Sequence, residues 1–283
     1  MKIFFKFNKQ IATSNTSYFS VLSLLFLLIT SFSVSAFDHE HSAWTNLLQA
    51  HIKVLNNGQS SQVDYLGFKQ NRSKLQVYLN SLSVVSEKDF SSFTKGEQKS
   101  FLINAYNAFT IDLILTKYPD LESINDLGRL FINPWKKRFI DLFGKTISLD
   151  DIEHGKLRNS DTYDDPRIHF AVNCASIGCP PLREEAFIAS KIDAQLDEQS
   201  TRFLSDHTRN RFDEKNMELN VSKIFKWYDD DFEKGYRGIE SLEQFFAGYA
   251  EQLTDSKTAQ EVIRSQQVDI KFLDYDWRLN DTQ

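Results

Sequence analysis

Apolar positions along this chain change period several times, and each change predicts an element. Trp44, Leu47, Leu48, His51, Ile52 and Leu55 recur at helical spacing, which predicts an amphipathic helix over residues 40–56. Leu75, Tyr78, Leu79 and Leu82 predict a second. Thr94 followed by Glu97 is a capping-box pair, opening a long helix through FLINAYNAFTIDLILTKY that ends before Pro119. That stretch is apolar nearly all round, so the helix is expected to be central and buried. Residues 139–142 and 146–149 flank Phe143-Gly144-Lys145 and predict a hairpin. Asp150 or Ser148 then caps a short helix holding Glu153 and His154. The run from Ile168 to Cys174 reads as a buried strand, left through the tight loop Ser176-Ile177-Gly178-Cys179-Pro180-Pro181. Ser190 with Asp193 opens a further helix. Met217, Leu219 and Val221 alternate as a strand, 241–253 suits a helix, and Val268, Ile270 and Phe272 alternate again. The sum is an α+β fold: one helix-rich domain with a small β-sheet and a long central buried helix.

The first 36 residues stand apart from this pattern. Lys2, Lys6 and Lys9 form a basic start, residues 21–32 are apolar, and Val34-Ser35-Ala36 offers small residues where a signal peptidase reads. This predicts a secretory signal peptide over 1–36, cleaved after Ala36, and one globular domain over 37–283. A 12-residue apolar run is short for a membrane span, which needs about 20 residues, and no later segment approaches one. Export places the expected mature protein in the periplasm or outside the cell.

The full chain carries 33 Lys and Arg against 39 Asp and Glu. The leader holds three of the bases and no acid, so residues 37–283 carry a formal charge of -9. Acidity argues against a nucleic-acid binder, and it favours neutral or cationic partners. With 247 residues after cleavage, the domain is large enough to bury a core without metal or disulfide staples. Phe is unusually common at 24, a large apolar payload for such a core.

Chemistry concentrates in the middle of the chain, where all five prolines lie. The stretches FLINAYNAFTIDLI, SLDDIEHGKLR, DPRIHFAVNCASIGCPPL, SKIFKWYDDDF and FLDYDWRLN resemble the domain of unknown function family 547. The resemblance covers residues 90–232 and returns at the C-terminus. HFAVNCASIGCPPL is its most specific part. The resemblance implies a fold neighbourhood and a site but no reaction, so the residues must be read physically.

Cys174 and Cys179 are the chain's two cysteines. Three readings are open for Cys174. It is a nucleophile at the end of a strand, beside free backbone N–H groups of the Ser176–Gly178 loop that supply an oxyanion hole. It is half of a Cys174–Cys179 disulfide closing a short loop, contributing about 2 kcal/mol. Or it is a small buried hydrophobe. A nucleophile needs a base. His39, His41 and His51 lie near the expected mature N-terminus, where solvated positions are favoured, and His207 lies in a polar stretch. His154 and His169 remain. On a regular strand the odd separation of His169 from Cys174 puts them on opposite faces, which favours His154. Asn104 and Asn107 share one face of the long apolar helix. One of them orients the imidazole, or both pin loop backbone to the helix.

Tetrahedral zinc from His154, His169, Cys174 and Cys179 is disfavoured, because the cysteines are spaced more widely than in a usual knuckle. The acid-aromatic runs 227–232 and 274–277 are read as structural, with aromatics packing inward and acids capping helices or binding Arg. The chain is therefore expected to need no metal or cofactor. It is read as a thiol-dependent hydrolase or acyl transferase acting on a small-molecule or peptide ligand, using Cys174 and a histidine base. The alternative is a non-catalytic binding module whose cysteines form a disulfide.

Overall fold

The computed structural model describes residues 1, 37–128, 133–158 and 162–283. The leader expected over 1–36 lies, Met1 apart, outside the described residues. Residues 37–283 form one structural unit of α+β class. Helix α1 (Ser42–His51) ends earlier than its apolar period suggests, and the chain turns into strand β1 (Ile52–Leu55), paired antiparallel with β2 (Ser60–Val63). The cause lies between the strands. Asn56, Asn57 and Gly58 all take positive φ, so the chain reverses there and the β-branched run before it becomes a strand. His41, expected near solvent, is buried instead, with Nδ1 2.7 Å from the Tyr78 hydroxyl. Burial pushes its pKa down to about 4, against the pull of Asp38.

Helices α2 (Tyr65–Gln70), α3 (Arg72–Ser83) and α4 (Glu87–Ser92) lead to α5 (Lys95–Leu115). The Thr94 backbone N–H donates to Glu97 at 2.7 Å, and Glu97 N–H returns to Thr94 Oγ1 at 3.3 Å, completing the capping box. Every residue from Ser100 to Ile111 is buried, so α5 is the central helix that its apolar pattern predicts. Strands β3 (Ile140–Leu142) and β4 (Lys145–Ile147) make the expected hairpin. Phe143 and Gly144 both take positive φ, as a type I′ turn requires. Helix α6 (Leu149–Ile152) is capped by Ser148, whose Oγ accepts from Asp151 N–H at 3.1 Å. A π turn over Glu153–Leu157 follows.

Residues 166–174 depart from the strand expectation. Pro166–Phe170 is a 3-10 helix, and the chain then runs irregularly to Cys174. Asp165 accepts from Arg167 N–H at 3.1 Å and Pro166 takes the first helical position, a strong helix start. A short apolar run does not separate a buried strand from a buried helical turn. This one is apolar because it lies between two cores. Ile168, Ala171 and Val172 pack into the cluster around α5, while Phe170 joins Phe203, Phe225, Phe232, Phe245 and Phe246 in a second.

That second core is built by α7 (Ile192–Leu204), β5 (Arg211–Asp213), β6 (Glu218–Val221), α8 (Ile224–Trp227), α9 (Asp229–Phe232), α10 (Leu242–Ala247), α11 (Ala250–Leu253), α12 (Lys257–Arg264) and β7 (Asp269–Phe272). In the sheet β5-β6-β7, β5 is antiparallel and β7 parallel to β6. The C-terminal segment crosses back to the first core. Tyr65 donates to Asn280 at 2.7 Å, and Ile177 N–H donates to the Arg278 carbonyl at 2.9 Å. This crossing lays Tyr275 and Trp277 against the 174–179 loop. Among the described residues no helix is long and apolar enough to cross a membrane.

Candidate functional site

Where the two cores meet, a cavity of about 330 Å³ opens. Cys174, Cys179, His154, His169, Glu153 and Tyr228 are among its lining residues, together with Trp135, Trp227 and Trp277. The structure thus brings both cysteines and both candidate histidines to one place. The elements responsible are the π turn after α6, the 166–174 segment, the α8–α9 junction and the C-terminal crossing.

Cys174 and Cys179 are joined in a disulfide, their Cα atoms 6.2 Å apart. Cys179 is buried and Cys174 half-buried. The Tyr275 hydroxyl lies 3.0 Å from Cys174 Sγ and 3.2 Å from Cys179 Sγ, and accepts from Ser176 Oγ at 3.1 Å. Burial pushes the Tyr275 phenol well up, so it stays a neutral donor. Cys174 N–H points at Cys179 Sγ, 2.9 Å away. Gly178 N–H donates to the Asp276 carbonyl at 2.9 Å, so this loop-support candidate is engaged within the fold. A Cβ at Gly178 would approach the Tyr275 ring to 2.9 Å, which is why glycine stands there. Ala175, next to Cys174, is held at φ 61, a left-handed conformation that only over-determined surroundings maintain in a non-glycine residue.

The two histidines differ in what holds them. His154 Nδ1 lies 2.6 Å from Arg158 Nη1. A guanidinium only donates, so the imidazole lone pair is already taken up, and Nε2 faces Asp150 at 3.9 Å. His169 is 3% exposed and stacks on Tyr228, ring centroids 3.9 Å apart. Its Nε2 lies 2.7 Å from Asp231 Oδ2. Burial pushes the Asp231 carboxyl up, but hydrogen bonds from His169, Arg158 and Lys234 outweigh this and hold it well below its ordinary value. An ionised carboxylate only accepts, so Nε2 carries the hydrogen and Nδ1 keeps its lone pair. That Nδ1 is buried and has no hydrogen-bond partner among the described residues. Burial also pushes the His169 pKa down, against Asp231 and Glu153, keeping the ring neutral. The strand-parity argument for His154 loses its basis, because residues 166–174 are not a strand.

Asn104 and Asn107 both serve backbone. Asn104 donates to Phe187 O at 2.7 Å and accepts from Phe187 N at 3.0 Å. Asn107 donates to Ala171 O at 2.9 Å and accepts from Asn173 N at 2.8 Å. Among the described hydrogen bonds neither amide meets a histidine. Asn107 therefore fixes the segment between His169 and Cys174 to the central helix.

Four residues that sequence reasoning left outside the site belong to it. Asp231 orients His169. Arg158 donates to Asp231 at 2.5 Å and lies over the Tyr228 ring at 4.7 Å. Glu153, buried, accepts from the Tyr228 hydroxyl at 3.0 Å. Tyr275 touches both sulfurs. Arg158 and Glu153 lie in SLDDIEHGKLR, Asp231 in SKIFKWYDDDF and Tyr275 in FLDYDWRLN.

Neither a curated protein nor a solved structure matches the chain. A family model described as "Protein of unknown function, DUF547" matches residues 90–204, a span that holds Cys174, Cys179, His154 and His169 but ends before Asp231 and Tyr275. Over those residues the chain resembles the DUF547 family.

Proposed function

We propose that this is an exported thiol-dependent acyl-transfer protein in which Cys174 is the nucleophile, His169 its base and Asp231 the group that orients the base. One observation carries the reading: a buried His169 whose Nε2 is fixed by Asp231 and whose Nδ1 is left without a partner, on the wall of the cavity that Cys174 also lines. A nucleophile, a base and a third group orienting the base is the arrangement that thiol catalysis needs. The disulfide is then the resting, oxidised form. Two-electron reduction by a dithiol frees both sulfurs. Cys174 Sγ attacks an acyl carbonyl, and His169 Nδ1 takes the thiol proton and passes it to the leaving group. The acyl group then moves from sulfur to water or to an amine. Cys174 N–H, released from Cys179 Sγ, is then free to donate to the developing oxyanion.

The disulfide itself favours a second reading, in which the cysteines staple the loop and the cavity binds a ligand without transforming it. The exported location expected for the chain suits either. Trapping separates them. Protein reduced with dithiothreitol is mixed with p-nitrophenyl acetate, and peptides are read by mass spectrometry. The catalytic reading expects a burst of p-nitrophenol and an acetyl group on Cys174, absent from non-reduced protein and from Cys174→Ser. Acetylation confined to surface lysines, with no burst, favours the staple.

A further inference from the structure

We infer that the cavity takes an alkylammonium group, so that the ligand processed or held there presents a cationic side chain or amine. The inference rests on the same cavity as the proposed chemistry and names the class of group it selects. Three tryptophans from distant parts of the chain converge on it. Trp277 lies 5.7 Å from Trp227 at an interplanar angle of 32° and 5.8 Å from Trp135 at 67°. The rings are thus mutually inclined and present faces in different directions. Tyr275 packs against Trp277 at 4.6 Å and Trp227 at 4.9 Å, yet Trp227 stays 41% exposed and Trp135 and Trp277 half-buried, so part of each indole remains open. Tyr228 is different. Its ring already carries His169 at 3.9 Å and the Arg158 guanidinium at 4.7 Å. The fold has therefore placed a cation over an aromatic face at this site once already.

Charge points the same way. The acidic side chains among the described lining residues are Asp150 and Glu153, and none is Lys or Arg. Arg158, the adjacent cation, is turned onto Asp231 and Tyr228. An ammonium group over tryptophan faces gains from the ring quadrupole, and the carboxyl groups of the same wall, Glu153 buried and Asp150 partly exposed, add to it. A neutral alkyl group of the same length gains only burial. An anion meets two carboxylates and no described lining cation.

The test compares two probes that differ in charge and little else, Nα-acetyl-L-lysine amide and Nα-acetyl-L-norleucine amide. Binding is followed by tryptophan fluorescence and calorimetry on full-length protein. The lysine amide is expected to bind about tenfold more tightly than the norleucine amide. Trp277→Ala and Asp150→Asn should each weaken the lysine amide about three- to tenfold and leave the norleucine amide nearly unchanged or, for Trp277→Ala, weaker as well. Circular dichroism checks that each variant folds, and Asp150→Asn carries the test if Trp277→Ala does not. Cys174→Ser should keep the cation preference, which separates this inference from the thiol chemistry. Equal affinity for the two amides overturns it, whatever Cys174 does. So does a lysine preference that survives Asp150→Asn intact in a folded protein.

Discussion

Asp231→Ala is expected to lower unfolding stability by about 3–5 kcal/mol at neutral pH. The carboxylate takes hydrogen bonds from His169 at 2.7 Å, Arg158 at 2.5 Å and Lys234 at 2.7 Å. Removing it leaves the Arg158 guanidinium without its hydrogen-bonded carboxylate and the buried imidazole without its acceptor. Breaking a mostly buried pair costs far more than the pair contributes, because the remaining charge is left desolvated. The pH dependence has a definite sign. The folded-state pKa of Asp231 lies below its unfolded value, so its stabilisation is present above the ordinary carboxylate range and is lost as pH falls toward the folded value. The difference between wild type and Asp231→Ala, measured by urea unfolding, should therefore narrow in acid. Equal stabilities at neutral pH would show that the His169–Asp231–Arg158 cluster is not formed as described.

Asn107→Leu is expected to cost about 2–5 kcal/mol. Its side chain is 2% exposed and satisfies both the Ala171 carbonyl and the Asn173 N–H. Leucine fills similar space but strands two buried backbone groups, each costing about 1–3 kcal/mol when left unmade. Asn80, exposed on α3, provides the contrast: Asn80→Leu should stay within about 0.5 kcal/mol of wild type. Because Asn107 fixes the segment between His169 and Cys174, its loss should also reduce acylation of reduced protein. A melting curve unchanged by Asn107→Leu would contradict the packing described for the central helix.

These residues show what a sequence makes legible and what it does not. The central helix was readable because its signals are local: a Thr94–Glu97 capping box, an apolar run and a proline stop. The 166–174 segment was not. Its apolar residues face two cores, so the run has no period to read. That misreading carried into the site, because face parity has no meaning once the backbone is a 3-10 turn and a loop. Cys174, Cys179, His154 and His169 were legible as residue types in a motif-like stretch, and they do line one cavity. Asp231 and Tyr275 were not, being 62 and 101 positions away from His169 and Cys174. Nothing local in Tyr228-Asp229-Asp230-Asp231 says which of the acids turns inward. The i,i+4 spacing of His154 and Arg158 does hint that the histidine is already occupied.

The central claim is that His169, not His154, serves Cys174. A pH profile of iodoacetamide alkylation after mild reduction tests it most directly, with each cysteine read separately by peptide mass spectrometry. Once the disulfide is reduced, transfer of the Cys174 thiol proton to the neutral His169 ring forms an imidazolium, and a thiolate beside an imidazolium reacts well below the ordinary thiol pKa of about 8.5. Cys174 is predicted to alkylate in wild type and in His154→Ala down to about pH 6, and to lose that low-pH limb in His169→Ala, while Cys179 stays slow throughout. An ordinary thiol profile for Cys174 in wild type, or loss of the low-pH limb in His154→Ala with His169→Ala unaffected, would contradict it.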